Sequence, residues 1–369
     1  MDLMRVSYRL AVGAAEAQER AERLALEQSV EVPRAVVRDR QVEERALGRV
    51  EAVTQLSDSS ALARIAFPLA ATAKDPAQLL NLLFGNASLQ PDVECVDAEF
   101  PDALQQALGG PRFGIAGLRE TLGVADRALT CTAAKPMGLA PEALAELVHA
   151  FALAGLDVVK DDHGLADHDF CPFEARVTAC LQAVTRAADA SGRRCLYVPN
   201  LIGTPERIWR QLDFAQERGA RAVMVSPMLI GLPTFWELCE QRASVPVFAH
   251  PSFAGVRRLG AELLHGSLLR LYGADAVIFV GWAGRFATPR EVCADLVARL
   301  RDDRGVLRPA LPAPGGGIEV ENAADQVAFY GRDCMLLCGG DLQLDAGSPG
   351  PRARAFVEAV AEASRAASA

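Results

Sequence analysis

An amine, a carboxylate and an imidazole crowd together in Lys160-Asp161-Asp162-His163, at the end of the apolar stretch Gly155-Leu156-Asp157-Val158-Val159. On a strand, alternation puts Lys160 and Asp162 on one side and Asp161 on the other. His163, the first residue past the strand, is free to turn its ring back toward them. Hard cations take oxygen ligands, and a carboxylate beside an imidazole can form part of a metal site. The plain alternative is a salt bridge at a strand end, and the place of the peptide in the chain decides between the two.

Other residues could join this chemistry. Lys135, followed by Pro136 and Met137, could move a proton or act as an electrophile toward a carbonyl oxygen. The proline restricts the backbone before it, which suits a positioned side chain, although a rim lysine fits as well. His250 in Val247-Phe248-Ala249-His250-Pro251 reads either as an acid-base or substrate-contacting group or as a hydrogen-bonded structural one. His149, His168 and His265 read as structural or surface residues. Arg285, in the glycine-bearing loop Gly281-Trp282-Ala283-Gly284-Arg285, reads as a lid cation for an anionic substrate or as a solvated loop arginine. Gly315-Gly316-Gly317 and Gly339-Gly340 would let backbone N–H groups approach a phosphate or a carboxylate of similar shape; single clusters of this kind are more often turns.

The elements that must position these residues follow a regular rhythm. Apolar stretches at 129–135, 156–162, 195–199, 222–226, 245–250, 275–281, 308–312 and 334–337 alternate with amphipathic helical segments. Buried parallel strands covered by helices give this pattern, and eight β-α units in about 250 residues predict a closed (β/α)8 TIM barrel over 121–369, with a doubly wound open sheet as the runner-up. Residues 1–120 mix short strands and helices, and predict an N-terminal α+β domain of the ferredoxin-like, split β-α-β kind. Gly109-Gly110-Pro111 to Gly114 marks the boundary. Barrel enzymes do their chemistry at the C-terminal strand ends. Lys135, Lys160, Asp162, His163, His250, Arg285 and both glycine clusters fall at or just beyond those ends, and this favours a site over a salt bridge. The two glycine clusters follow strands seven and eight, the corner where barrels often bind phosphate.

Composition narrows the class. Half of the 369 residues are hydrophobic, 23% are charged and the net charge is −9. An acidic chain without a basic run predicts no nucleic-acid partner. The nine cysteines lack Cys-x-x-Cys spacing and read as buried free thiols of a reducing compartment. Without an apolar run long enough to span a bilayer or a cleavable leader pattern, the expectation is a cytoplasmic protein with no membrane partner.

Gly155-Leu156-Asp157 through Lys160-Asp161-Asp162, with Pro172-Phe173 downstream, resembles the activation segment of the ribulose-bisphosphate carboxylase large subunit, and more closely that of its non-fixing relatives, the RuBisCO-like proteins. The resemblance runs over nearly the whole chain. It implies that Lys160 takes up carbon dioxide as a carbamate and binds Mg2+ with Asp162 and His163. It implies further that Glu27 and Asn86 of the N-terminal domain reach the site of a neighbouring subunit, so that the protein is a homodimer or a multiple of dimers. Gly316, Gly317, Gly339 and Gly340 match the glycines that hold one substrate phosphate.

Departures from the family pattern carry equal weight. His163 stands where the family has a glutamate, and the segment at Lys135-Pro136-Met137 has lost one of two lysines and is one residue shorter. Pro251, Ile278 and Gly315 replace an arginine, a histidine and a serine that contact substrate, mostly around a second phosphate, and Arg285 replaces the lid lysine. The resemblance therefore implies enolate chemistry without carbon dioxide fixation, on a keto sugar or keto sugar acid bearing at most one phosphate. Lys135 and Lys160 with His250 are the catalytic candidates. A decarboxylase or hydrolase of the 3-oxo-isoapionate type is the first expectation. An isomerase or enolase of a methylthio-pentulose phosphate is the second, and a catalytically decayed sugar-phosphate binding protein the third.

Overall fold

The computed structural model describes residues 2–256, 258–284, 288–344 and 350–367. Near the N-terminus, β1 (Leu3–Leu10), β2 (Arg49–Ser57), β3 (Ser60–Pro68) and β4 (Val93–Glu99) pair antiparallel in the order β2-β3-β1-β4. β1 alternates strictly, burying Met4, Val6, Tyr8 and Leu10 under the helices Ala14–Glu27 and Pro76–Phe84. Two split β-α-β units in this order are the ferredoxin-like arrangement. Asp75 starts the second helix by accepting from the N–H groups of Ala77 and Gln78, with Pro76 at its first position. The sequence reading had no strand at Val93–Glu99, because its acidic residues interrupt the apolar pattern; tertiary pairing to β1 and a bridge from Cys95 to Leu259 hold it.

Eight parallel strands follow: β5 (Leu129–Ala134), β6 (Val158–Asp161), β7 (Leu196–Val198), β8 (Val223–Val225), β9 (Val247–Ala249), β10 (Ala276–Val280), β11 (Leu311–Ile318) and β12 (Met335–Cys338). Their order, β7-β6-β5-β12-β11-β10-β9-β8, is a walk round a cylinder, and one backbone bridge between Asn200 and Met224 joins its two ends. The expected barrel is present. Cys131, Val158, Val198, Met224, Phe248 and Leu311 fill its interior, together with Leu118 and Leu122 from the helix Gly114–Leu122. That helix is held at its N-terminus by the buried Asp275 carboxylate, which accepts from the N–H groups of Phe113 and Gly114, both at 2.7 Å. A carboxylate at a helix N-terminus meets unpaired donors and a favourable dipole.

One strand departs from the sequence reading. β11 does not stop at Pro312 but runs on through all three glycines to Ile318, pairing Gly315 with Val280 on one side and with Leu337 on the other. Prolines and glycines weaken a strand locally, but two flanking strands impose it here. All nine cysteines are free, and all but Cys195 are fully buried, as expected. Among the described residues no helix is long and apolar enough to cross a membrane.

Candidate active site

At the C-terminal end of the barrel lies a cavity of about 1130 Å³. Lys135, Lys160, Asp162, His163, His250, Gly316, Gly317, Gly339 and Gly340 all line it. Lys135 and Asp162 stand one residue beyond β5 and β6, and His250 one beyond β9. Alternation along β6 sends Lys160 and Asp162 inward and Asp161 outward, as the sequence implied.

Lys160 is 1% exposed, and its ammonium donates to the backbone oxygen of Asp161 at 3.1 Å. Asp162 pairs with Lys135, not with Lys160: Lys135 Nζ lies 3.2 Å from Asp162 Oδ1, and His163 Nδ1 lies 3.1 Å from the same oxygen. Burial pushes the Lys160 amine below its usual value, and the nearby Lys135 charge adds to the push. Burial acts to raise the Asp162 carboxyl, but His163 and Lys135 outweigh it and hold the group well below the usual carboxylate range. The His163 and His250 rings stack with centroids 4.3 Å apart. Burial, helped by Lys160 and His163, pushes the His250 imidazole down to about 2, so it is neutral. Its Nδ1 accepts the Ser252 backbone N–H at 3.1 Å, an arrangement that assigns the ring proton to Nε2.

This donor set suits a hard cation. Asp162 Oδ1 is buried and accepts no well-directed hydrogen bond despite its two close nitrogens, so its acceptor capacity is left unfilled. A carboxylate oxygen and an imidazole make two donors. Among the described residues no group of three His, Cys, Asp or Glu side chains converges, so a three-donor site here would need Lys160 as well. Lys160, turned into a carbamate, would supply an anionic oxygen.

The glycines divide into two kinds. Gly317 has φ +144, and a Cβ on it would stand 2.2 Å from Gly284 Cα; close packing of the strand-six loop accounts for it. Gly339 and Gly340 have no such neighbour within 4 Å, so their backbone borders open space. The cavity wall on the β9 and β10 side is apolar, with Pro251, Leu259, Leu264 and Ile278. His265, read as structural or surface, also lines the cavity. Arg285 lies outside the described residues.

Glu27 and Asn86 line no part of this cavity. They meet each other, with Asn86 Nδ2 donating to Glu27 Oε1 at 3.0 Å. The buried Gln28, which sequence reasoning passed over, fixes that meeting. It donates to the oxygens of Asn81 and Leu82 and accepts the Ala87 N–H at 2.7 Å. Its position next to Glu27 at a helix end was a usable signal, since a polar residue there has backbone groups to satisfy.

Comparison with known proteins agrees with the fold. The family model for the ribulose bisphosphate carboxylase large chain, catalytic domain, matches residues 114–364. The ribulose bisphosphate carboxylase-like protein 1 of Rhodopseudomonas palustris is 47% identical over 337 residues, covering 91% of this chain and 92% of that protein. The 5-methylthioribulose-1-phosphate isomerase of Rhodospirillum rubrum is 39% identical over 342 residues, covering 92% and 91%. A crystal structure of a Rubisco-like protein from Rhodopseudomonas palustris superposes with a TM-score of 0.91 at 41% identity, covering 98% of each chain.

Proposed function

The chain belongs to the ribulose bisphosphate carboxylase large-chain family, in its RuBisCO-like branch that does not fix carbon, and from that premise we propose that it is a metal-dependent isomerase of a ketose monophosphate with an apolar end, on the pattern of a methylthio-pentulose phosphate. One observation carries the reading. The open glycine backbone at Gly339 and Gly340 and the apolar wall at Pro251 and Ile278 belong to one cavity, and the ionisable residues open into it. Such a space takes one phosphate and one apolar tail. Among the described residues the apolar side chains of that wall suit a hydrocarbon-like tail better than the ionised end of a keto sugar acid, so that substrate, the first expectation from the residue pattern, moves to second place. A relative of 39% identity named as an isomerase supports the same ranking.

Lys160 as a carbamate, Asp162 and His163 would hold Mg2+, which supplies Lewis-acid polarisation of a ketone oxygen when bound. The remaining work falls to the chain. Burial pushes the Lys160 amine toward its neutral form, and in that form it attacks carbon dioxide: an N–C bond forms, a C–O π bond opens, and the proton that the nitrogen gives up passes to solvent. Lys135, acting as its neutral amine, takes the proton from the carbon beside the ketone; the hydroxyl proton on that carbon passes to the former ketone oxygen, and Lys135, its ammonium steadied by Asp162, returns its proton to the former ketone carbon. The neutral His250 offers its Nε2–H to the oxygen on which charge builds. The backbone of Gly339 and Gly340 fixes the phosphate. A second copy of the chain completes the site with Glu27 and Asn86. The 80% exposed Leu89 beside that pair, and the exposed Met137, Phe253 and Val256, are apolar surface for it to cover.

The test supplies 5-methylthioribulose 1-phosphate and 3-oxo-isoapionate separately, with Mg2+ and bicarbonate in D2O, and follows products and deuterium by NMR. Isomer formation from the phosphate, with deuterium at the carbon beside the ketone and loss of both in Lys160→Ala, is expected. Turnover of the keto acid alone overturns the reading. Binding of either compound without turnover favours a decayed site.

A further inference from the structure

Asp161 faces away from the cavity, and behind β6 a buried polar cluster forms round it. Its Oδ1 accepts the Tyr197 hydroxyl at 2.6 Å, and its Oδ2 accepts Arg176 Nε and the Asn200 N–H, both at 3.0 Å. Asn200 then turns its side chain onto the loop that leaves β6. Its Nδ2 donates to the backbone oxygens of His163 at 3.1 Å and Leu165 at 3.0 Å. Arg176 grips the far side of that loop through the oxygens of Ala166 and Cys171. Asp161, Arg176, Tyr197 and Asn200 are all at most 1% exposed.

We propose that Asn200 is a positioning residue for the metal-binding edge of the barrel, resting on the reading above that Lys160, Asp162 and His163 hold the ion. Its own N–H ties down the last residue of β6, and its side-chain amide ties down the backbone of His163 two positions later. Between these two anchors sits Asp162. The peptide that must present a carboxylate and an imidazole together is therefore held at both ends by one residue just beyond the next strand. Buried groups behind ligands commonly fix their orientation in this way.

Asn200 also takes part in barrel closure, but through its backbone: the bridge to Met224 is a main-chain contact. The two roles can therefore be separated by changing the side chain alone. Asn200→Leu keeps the size, removes both side-chain donors and leaves the main chain able to close the ring. Asn200→Gln keeps an amide and serves as rescue. Tyr197→Phe loosens Asp161 from the other side, and keeps the question open to test if Asn200→Leu fails to fold.

Two readouts on the full-length protein decide the matter: Mn2+ affinity in the presence of bicarbonate, by electron paramagnetic resonance, and hydrogen exchange of the amides at 163–171 without metal. Asn200→Leu is expected to weaken Mn2+ binding about tenfold and to speed exchange across the loop, with partial recovery in Asn200→Gln. Tyr197→Phe is expected to weaken binding less. Unchanged affinity and exchange in a folded Asn200→Leu, or in Tyr197→Phe should the first not fold, overturns the inference while leaving the ligand assignment standing. A wild-type protein that binds no Mn2+ sinks the ligand assignment. Exchange then decides on its own: a loop loosened by Asn200→Leu still supports positioning, and an unchanged loop ends it.

Discussion

On the outer side of β6, Asp161 receives three hydrogen bonds, one of them from a guanidinium with no exposed surface. On the inner side, one residue away in each direction, Lys160 donates only to a backbone oxygen, and Asp162 keeps an oxygen without a well-directed hydrogen bond. The same residue types on one short strand meet opposite treatment. Where charge serves the fold, the protein pairs it with an opposite charge out of solvent, even though Arg176 Nη2 itself finds no hydrogen-bond partner. Where charge faces the cavity, it is left partly unmet, and the unmet portion is what a cation, carbon dioxide or substrate can use.

Removing a partner should separate the two sides most sharply on the outside. Arg176→Met strands the Asp161 carboxylate in the interior, and about 3–5 kcal/mol of stability should be lost, read from urea unfolding. A variant that unfolds at the wild-type midpoint would erase the contrast. Lys160→Met should do the reverse. Stability should hold or rise, because a buried ammonium with one carbonyl partner is removed. Turnover should fall about a thousandfold, equivalent to about 4 kcal/mol of transition-state stabilisation.

Titration gives a finer test. His250 is held at about 2 in the folded protein against an ordinary value near 6.5. Between those values the unfolded chain binds a proton that the folded one does not, so stability is full above about pH 6.5 and declines as pH falls below it. Urea midpoints between pH 7 and pH 4.5 should therefore drop less in His250→Gln than in wild type; equal slopes would show that the ring is not held neutral. Gln28→Leu, away from β6, should have the smallest effect. It leaves the Ala87 N–H and the Leu82 oxygen unpaired, worth about 1–3 kcal/mol in thermal unfolding.

The barrel was legible because buried parallel strands write themselves as continuous apolar runs, and the inward residues because alternation is a property of the strand itself. Lys135, Lys160, Asp162, His163 and His250 were placed in one cavity by those two rules and by where the runs end. The hidden portions depend on distant partners. β4 is a strand because β1 is beside it, and β11 passes through three glycines because its neighbours demand it. Gln28, Arg176 and Asn200 were passed over for the same reason: the groups they satisfy are 15 to 59 residues away at their longest reach, or belong to loops without a pattern of their own. His265 sits on a helical turn whose inward face only the packed barrel reveals.

The ring of staves is sewn shut at a single stitch, Asn200 to Met224, with Leu201 and Met224 donating across it at 2.8 and 2.9 Å. That stitch uses the backbone of the residue whose side chain also holds the peptide at His163 and Leu165. A strain that begins to open the cylinder there would pull on that peptide before it reaches the rest of the hoop, so that loosening of the proposed ion site and loss of the closed shape would be early steps of one event.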